Sequence, residues 1–177
     1  MIYFIRHGET AYNREGRVQG HLDIPLNEKG IKQAELARDE SRDLKIDLIY
    51  SSPLLRARKT AEIINEKHNV KIVFDDRLKE LHMGTVQGKT ISDCSKDEIE
   101  YAFTNPEKNN GETLEHLCDR VELVMREIEA LNKDVLIVSH GGVYKAVYKY
   151  LNNIKICDID IDTPANAKII ELKKHAD

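Results

Sequence analysis

Strands and helices alternate along this 177-residue chain, and that order predicts an α/β fold with a largely parallel sheet and helices on both faces. Three stretches carry the prediction. Asp134-Val135-Leu136-Ile137-Val138 is a continuous apolar run, as expected of a central parallel strand. Leu114, Leu117, Val121, Val124, Ile128 and Leu131 recur at three- and four-residue steps, the core-facing stripe of a helix. Ile2 to Ile5 is a short apolar run that turns abruptly polar at Arg6-His7-Gly8.

The remaining elements follow in order. Residues 8 to 26, with glycines at 8, 16 and 20 and Pro25, read as a long loop, a length that is usually functional when ordered. Asn27 is a helix cap, and the helix runs to about Asp43 with Ile31, Ala34 and Ala37 on one face. Ile46 to Tyr50 is the second strand. Ser52 as N-cap and Pro53 at the first position open the next helix, whose stripe is Leu54, Ala57, Ala61 and Ile64. Arg56 falls in its first turn; Arg58 and Lys59 read as solvated charges. Val70 to Phe74 is a third strand. The polar stretch 89–112, broken at Asn105-Pro106, reads as a cap or lid within a single domain spanning 1–177. A helix follows Gly142 to about Leu151, and Lys168 to Leu172 makes a last strand at an edge.

Composition narrows the function. With 41% hydrophobic and 33% charged residues the chain is neither disordered nor membrane-embedded, and no apolar run approaches the ~20 residues of a membrane span. The N-terminal run is too short for a secretory leader and has no basic region before it. A formal net charge of -4 argues against a nucleic-acid partner held by bulk electrostatics. Cys94, Cys118 and Cys157 are scattered and odd in number, which predicts reduced thiols in a cytoplasmic protein, with Cys118 buried in a helix.

In a parallel sheet, ligands bind outside the carboxyl ends of the strands. Three predicted strand ends carry Arg6-His7-Gly8, Ser51-Ser52-Pro53 leading to Arg56, and Ser139-His140-Gly141-Gly142. They converge on one rim, together with Asn13 and Glu80. Arginine forks match phosphate or carboxylate oxygens. Glycines 8, 141 and 142 let backbone N–H groups approach an anion, and a helix beginning there adds its dipole. A phosphoryl group is the natural occupant. Two histidines at such a site could bind a metal, act as acid and base, or include a nucleophile. No spaced Asp/His cluster accompanies them, which disfavours metal. A neutral imidazole beside arginines can attack phosphorus, and the arginines offset charge without a metal. The leaving alkoxide needs a proton, and Glu80, in a short segment ending at Gly84, is the carboxylic acid placed to give it.

Arg6-His7-Gly8-Glu9-Thr10 with Asn13 resembles the signature of the histidine phosphatase superfamily, the phosphoglycerate-mutase-like enzymes. Ser51 to Ala57 with Thr60-Ala61, Leu78 to Gly84 with Gly88, Gly111 to Leu114, and Val138 to Gly142 resemble its further blocks, in the family's order. The resemblance implies a three-layer sandwich with a mainly parallel six-stranded sheet and a small cap. It implies His7 as nucleophile through a phosphohistidine. Arg6, Arg56 and His140 then hold phosphoryl oxygens, Asn13 and Gly141 line the phosphate site, and Glu80 serves as proton donor, with no metal and no cofactor. Gln19 and Gly20 match a recurring piece of the pocket loop and are possible substrate contacts. His21 and His82 have packing or rim roles, His82 as a possible contact; His68, His116 and His175 read as surface. Val86 and Gln87 stand where the small phosphatases usually carry an aromatic residue and a Glu.

The family's mutases are longer and carry paired arginines for a second acidic group. Between Gly88 and Asp119 this chain has no arginine. The expected activity is therefore hydrolysis of a small phosphorylated metabolite, resembling α-ribazole phosphatase and broad-specificity phosphatases. Phosphoglycerate mutase is the alternative, and an inactive phospho-ligand binder is the non-enzyme alternative.

Overall fold

The computed structural model describes residues 1–154 and 162–173. Among them, five strands form one sheet: β1 (Ile2–Arg6), β2 (Leu48–Ser51), β3 (Ile72–Phe74), β4 (Val135–Ser139) and β5 (Ile169–Leu172). The order is β3-β2-β4-β1-β5, so the most apolar strand, β4, is central. The first four run parallel, and β5 closes the edge antiparallel to β1. The expected six strands are thus five among the described residues. In the register, Arg6 pairs with Ser139 and Ser51 with Val138, which brings three strand ends to one level.

Side chains alternate between two faces. Phe4, Val135 and Ile137 point to one core with Leu117, Val121, Val124 and Ile128 of α5 (Leu114–Ala130) and Val143 and Val147 of α6 (Gly141–Asn152). Ile5, Ile49, Leu136 and Val138 point to the other. There they meet Ala37 of α2 (Glu28–Glu40) and Ala57, Ala61 and Ile64 of α3 (Leu55–His68). This is the expected three-layer arrangement. The stripe of α5 is buried in its middle, whereas Leu114 and Leu131 at its ends are exposed; Ile31 of α2 is exposed too. Cys118 is buried in α5; Cys157 and His175 lie outside the described residues.

Two local readings need correction. The long 8–26 loop contains a short helix, α1 (Ala11–Glu15), capped reciprocally by Thr10 and Asn13 and stopped by Gly16 at φ 66°. Ser52 does not cap α3. Its first turn is capped from outside by Asp23, whose Oδ1 accepts from Leu55 N at 2.6 Å, while Ser52 Oγ accepts from Leu54 N, before the helix, at 3.3 Å and meets His140. The 89–112 stretch holds α4 (Lys96–Thr104), opened by a Ser95–Glu98 capping box, and Asn105-Pro106 breaks it as expected. His68 lies partly buried, its Nε2 3.1 Å from Ser41 Oγ, whereas His116 is exposed. Arg58 stacks over Phe74.

Candidate active site

The site is built from strand ends. His7 follows β1 and continues its ladder, its N–H donating to Ser139 O at 2.9 Å. The chain then passes so close to α2 that a Cβ on Gly8 would strike Gly30 O, and one on Gly30 would strike Glu9 O. Only glycine pairs allow that approach. Gly8 N–H donates to Thr60 Oγ1 at 3.1 Å, which fastens the turn to α3.

His7 Nδ1 lies 2.7 Å from Gly8 O. A carbonyl can only accept, so Nδ1 carries the proton and Nε2 presents its lone pair. Arg56 Nε points at that Nε2 from 3.3 Å, a long contact. Burial, then the charges of Arg56 and Arg6, hold His7 well below the usual histidine value, against the opposing bond to Gly8. The ring is neutral at neutral pH.

Among the described residues Arg56 is the largest fully buried side chain. Its Nη1 donates to Leu22 O and its Nη2 to Gly20 O, each at 2.8 Å. The 17–26 loop therefore orients the guanidinium, and Asp23 ties the same loop to α3. Burial lowers Arg56 to about 10, with Glu80 and Asp23 opposing and Arg6 assisting, so it stays charged. Arg6 holds Pro164 O at 3.3 Å through Nη1.

His140 sits after β4, completely buried, its ring centroid 5.2 Å from that of His7. Its Nε2 lies 2.8 Å from Ser52 Oγ. Burial and then Arg56 keep it well below the usual histidine value. Among the described residues three buried side-chain polar atoms lack a partner, and two are Arg6 Nε and His140 Nδ1. Such groups are rare in folded proteins and call for a polar ligand.

Glu80 stands opposite. Its Oε1 accepts from Leu81 N at 2.9 Å and from Gly142 N, in the first turn of α6, at 3.1 Å. A Cβ on Gly142 would crowd that oxygen, so the Glu80 side chain sits this close only because the residue is glycine. Arg120 of α5 takes the carbonyls of Arg77 and Lys79 through Nη1 at 2.6 and 2.7 Å and that of Glu80 through Nη2 at 3.0 Å. Arg120 also forks onto Glu112 at 2.7 and 2.8 Å. Burial pushes the Glu112 carboxyl up, and the bonds and charge of Arg120 outweigh it, leaving the group below its ordinary value. His21 Nε2 donates to Glu80 O at 2.7 Å, so His21 is a support beneath the acid.

A cavity of about 320 Å³ joins Arg6, His7, Asn13, Gln19, Gly20, Arg56 and Glu80. Arg17, Val18, Leu81, Met83 and Gly142 complete it. His140 and Gly141 do not line it, although His140 Nδ1 is unpartnered. His82 is outside: it packs edge-on against His21 and lines a neighbouring cavity with Glu112 and His116. Arg17, Arg120 and the Asp23 cap were not anticipated. Arg17 could have been found, since it directly precedes the Val18-Gln19-Gly20 wall. Arg120 lies on the flank of a core helix and carries no local signal. Among the described residues no group of three His, Cys, Asp or Glu is placed to hold a metal ion. No described helix is long and apolar enough to cross a membrane.

The description "Histidine phosphatase superfamily (branch 1)" matches residues 2–177, and the chain belongs to that superfamily. Phosphoglycerate mutase-like protein 4 of Arabidopsis thaliana is 38% identical over 159 residues, covering 84% of this chain and 69% of that protein. A mycobacterial glucosyl-3-phosphoglycerate phosphatase, solved with VO3, superposes with a TM-score of 0.82 at 27% identity, covering 95% of this chain and 88% of the other. The α-ribazole phosphatase of Shigella flexneri superposes with a TM-score of 0.87 at 24% identity over 95% and 87%, a likeness of fold.

Proposed function

We propose that this member of the histidine phosphatase superfamily is a metal-independent phosphomonoester hydrolase for a small phosphorylated metabolite. The observation that carries the reading is the neutral, tautomer-fixed His7, its Nε2 opening on a cavity shared by Arg6, Arg56, Arg17 and the Glu80 carboxyl.

The ester's phosphoryl oxygens take the unsatisfied Arg6 Nε, the Arg56 guanidinium and the amide of Asn13. Ser52 O–H donates to His140 Nε2, which leaves the His140 proton on Nδ1 as a further donor. Gln19 and Gly20 shape the wall. His7 Nε2 attacks phosphorus as the ester P–O bond breaks, and Glu80 gives its proton to the departing oxygen. Glu80, now a carboxylate, takes a proton from water; that water's oxygen attacks phosphorus, the P–N bond breaks, and inorganic phosphate leaves with His7 restored. The arginine charges lie where negative charge develops and do the work a metal would otherwise do. Transfer to a second hydroxyl, as in a mutase, requires a grip on a second acidic group. Arg17, the further arginine at the cavity, is engaged by Glu15 at 2.7 Å and Gly88 O at 2.8 Å. That favours water as acceptor.

The test is turnover of an aryl phosphate with a chelator present, beside an isotope-exchange assay between 2- and 3-phosphoglycerate. Chelator-resistant hydrolysis without exchange is expected. Exchange exceeding hydrolysis would make the chain a mutase, and no turnover would leave a silent binder.

A further inference from the structure

We infer that the substrate's leaving group enters a second cavity beside the acid, and that it is the apolar body of an uncharged alcohol; this rests on the hydrolase reading above. The second cavity, about 450 Å³, lies among α4, the start of α5 and α6. It shares two residues with the phosphate cavity, Leu81 and Gly142. Those are the two residues whose N–H groups hold the Glu80 carboxylate. The proton donor, which lines the phosphate cavity, is therefore held by the wall the two cavities share. In an in-line displacement the leaving oxygen faces the proton donor, on the side of phosphorus away from His7. The carbon attached to it is then directed over Leu81 and Gly142 into this space. The cavity lined by His21, His82, Glu107 and His116 shares no residue with the phosphate cavity and offers no such continuity.

The walls define the occupant. Leu117 and Ala102 are buried and form the floor; Leu114 is exposed and forms the mouth. Leu81 and Pro106 add apolar sides. Three charged residues also line it. Glu112 is neutralised by Arg120. Lys145, without an ion pair among the described residues, and the exposed Glu115 have opposite signs, so the space favours neither anion nor cation. An acidic leaving group such as a glycerate would lose hydration against leucine and proline with one lysine in return. A hydrocarbon or aromatic alcohol loses nothing and gains burial.

The test is kcat/KM along the unbranched alkyl phosphates from ethyl to hexyl, with chelator present. Leaving-group acidity is nearly constant along this series, so the slope reports contact with the cavity. The expected rise is about two- to fourfold per methylene until the space is filled. Leu114→Ser, at an exposed position, should reduce that slope while ethyl phosphate turnover stays within about threefold. Ala102→Glu should abolish it, with a circular-dichroism melt as the check on folding. A flat or falling series in the unaltered chain, with short esters still hydrolysed, would overturn the inference and leave the hydrolase reading standing. So would a slope unchanged by Leu114→Ser. No turnover of any ester and no phosphohistidine would bring down both.

Discussion

The two sides of the cavity are held in different ways. On the phosphate side His7, Arg56 and His140 are placed by the ends of β1, β2 and β4, and each is buried almost completely. On the acid side Glu80 lies between two 3-10 turns, Asp76–Leu78 and Gly84–Val86, with neither strand nor α-helix beneath it. Side chains do the holding there: Arg120, Glu112 and His21 grip the backbone of residues 77 to 82. Groups that meet every phosphate ester stand on the rigid sheet, and the group that meets the variable leaving oxygen stands on a clamped loop. Chemistry and folding should be hard to separate on the first side and easy on the second.

The largest effect falls on the phosphate side. His7→Ala should lower kcat by about 10⁴-fold or more for every ester, since no other nucleophile replaces the lost ring. Glu80→Gln comes next: about 10²- to 10⁴-fold on alkyl phosphates and under about tenfold on aryl phosphates, whose leaving oxygen needs no proton. Equal losses on both substrates would remove Glu80 as the acid. Arg120→Ala leaves the part-buried Glu112 with only the exposed His116 and the His82 N–H, and frees three carbonyls, and should cost about 1–3 kcal/mol in a denaturant titration. Its turnover loss should be confined to poor leaving groups. Gly142→Ala is a finer probe, because the new methyl meets the mobile end of Glu80 rather than backbone. About a tenfold loss on alkyl phosphates with a small shift in Tm is expected. Gly8→Ala would strike the backbone of Gly30 and should instead destabilise by about 1–3 kcal/mol.

The smallest expected effect is in the pH dependence of stability. His7 and His140 are held well below the ordinary histidine value of 6.5, so the unfolded chain takes up protons first as pH falls. Their stabilising contribution is whole above 6.5 and is lost progressively below it. Depressed carboxylates such as Glu112 keep their stabilising contribution above about 4.5 and begin to lose it only below that. Between these limits stability should drop by about 1 kcal/mol or more, and His7→Gln should flatten the slope. A slope unchanged in that variant would place the titration elsewhere.

How far the sequence could be read follows the same division. β4 and α5 were legible because an unbroken apolar run and a helical stripe each have one good burial solution. Arg6, His7, Arg56 and His140 were legible because strand ends fix where the next residue stands. Asn27 and Asn105-Pro106 were legible as local punctuation. The α1 helix was hidden because five residues between glycines carry no stripe, and only the Thr10–Asn13 pair signals it. Ser52 looked like a cap because the sequence cannot show that Asp23, 32 residues away from Leu55, takes that role. Arg120 was invisible for the same reason: its meaning lies in carbonyls about 40 residues away. The fifth and outermost strand, β5, was placed at an edge by its weak pattern, and its antiparallel direction by tertiary pairing alone.

The most direct measurement is rapid acid-free quenching during turnover of a phosphate ester labelled in the phosphoryl group. Label bound to the protein through an acid-labile, base-stable bond at His7, formed and lost at rates no slower than kcat, is the predicted result. Label that persists on His7→Ala, or turnover with no bound label and inversion at phosphorus, would contradict the nucleophile assignment.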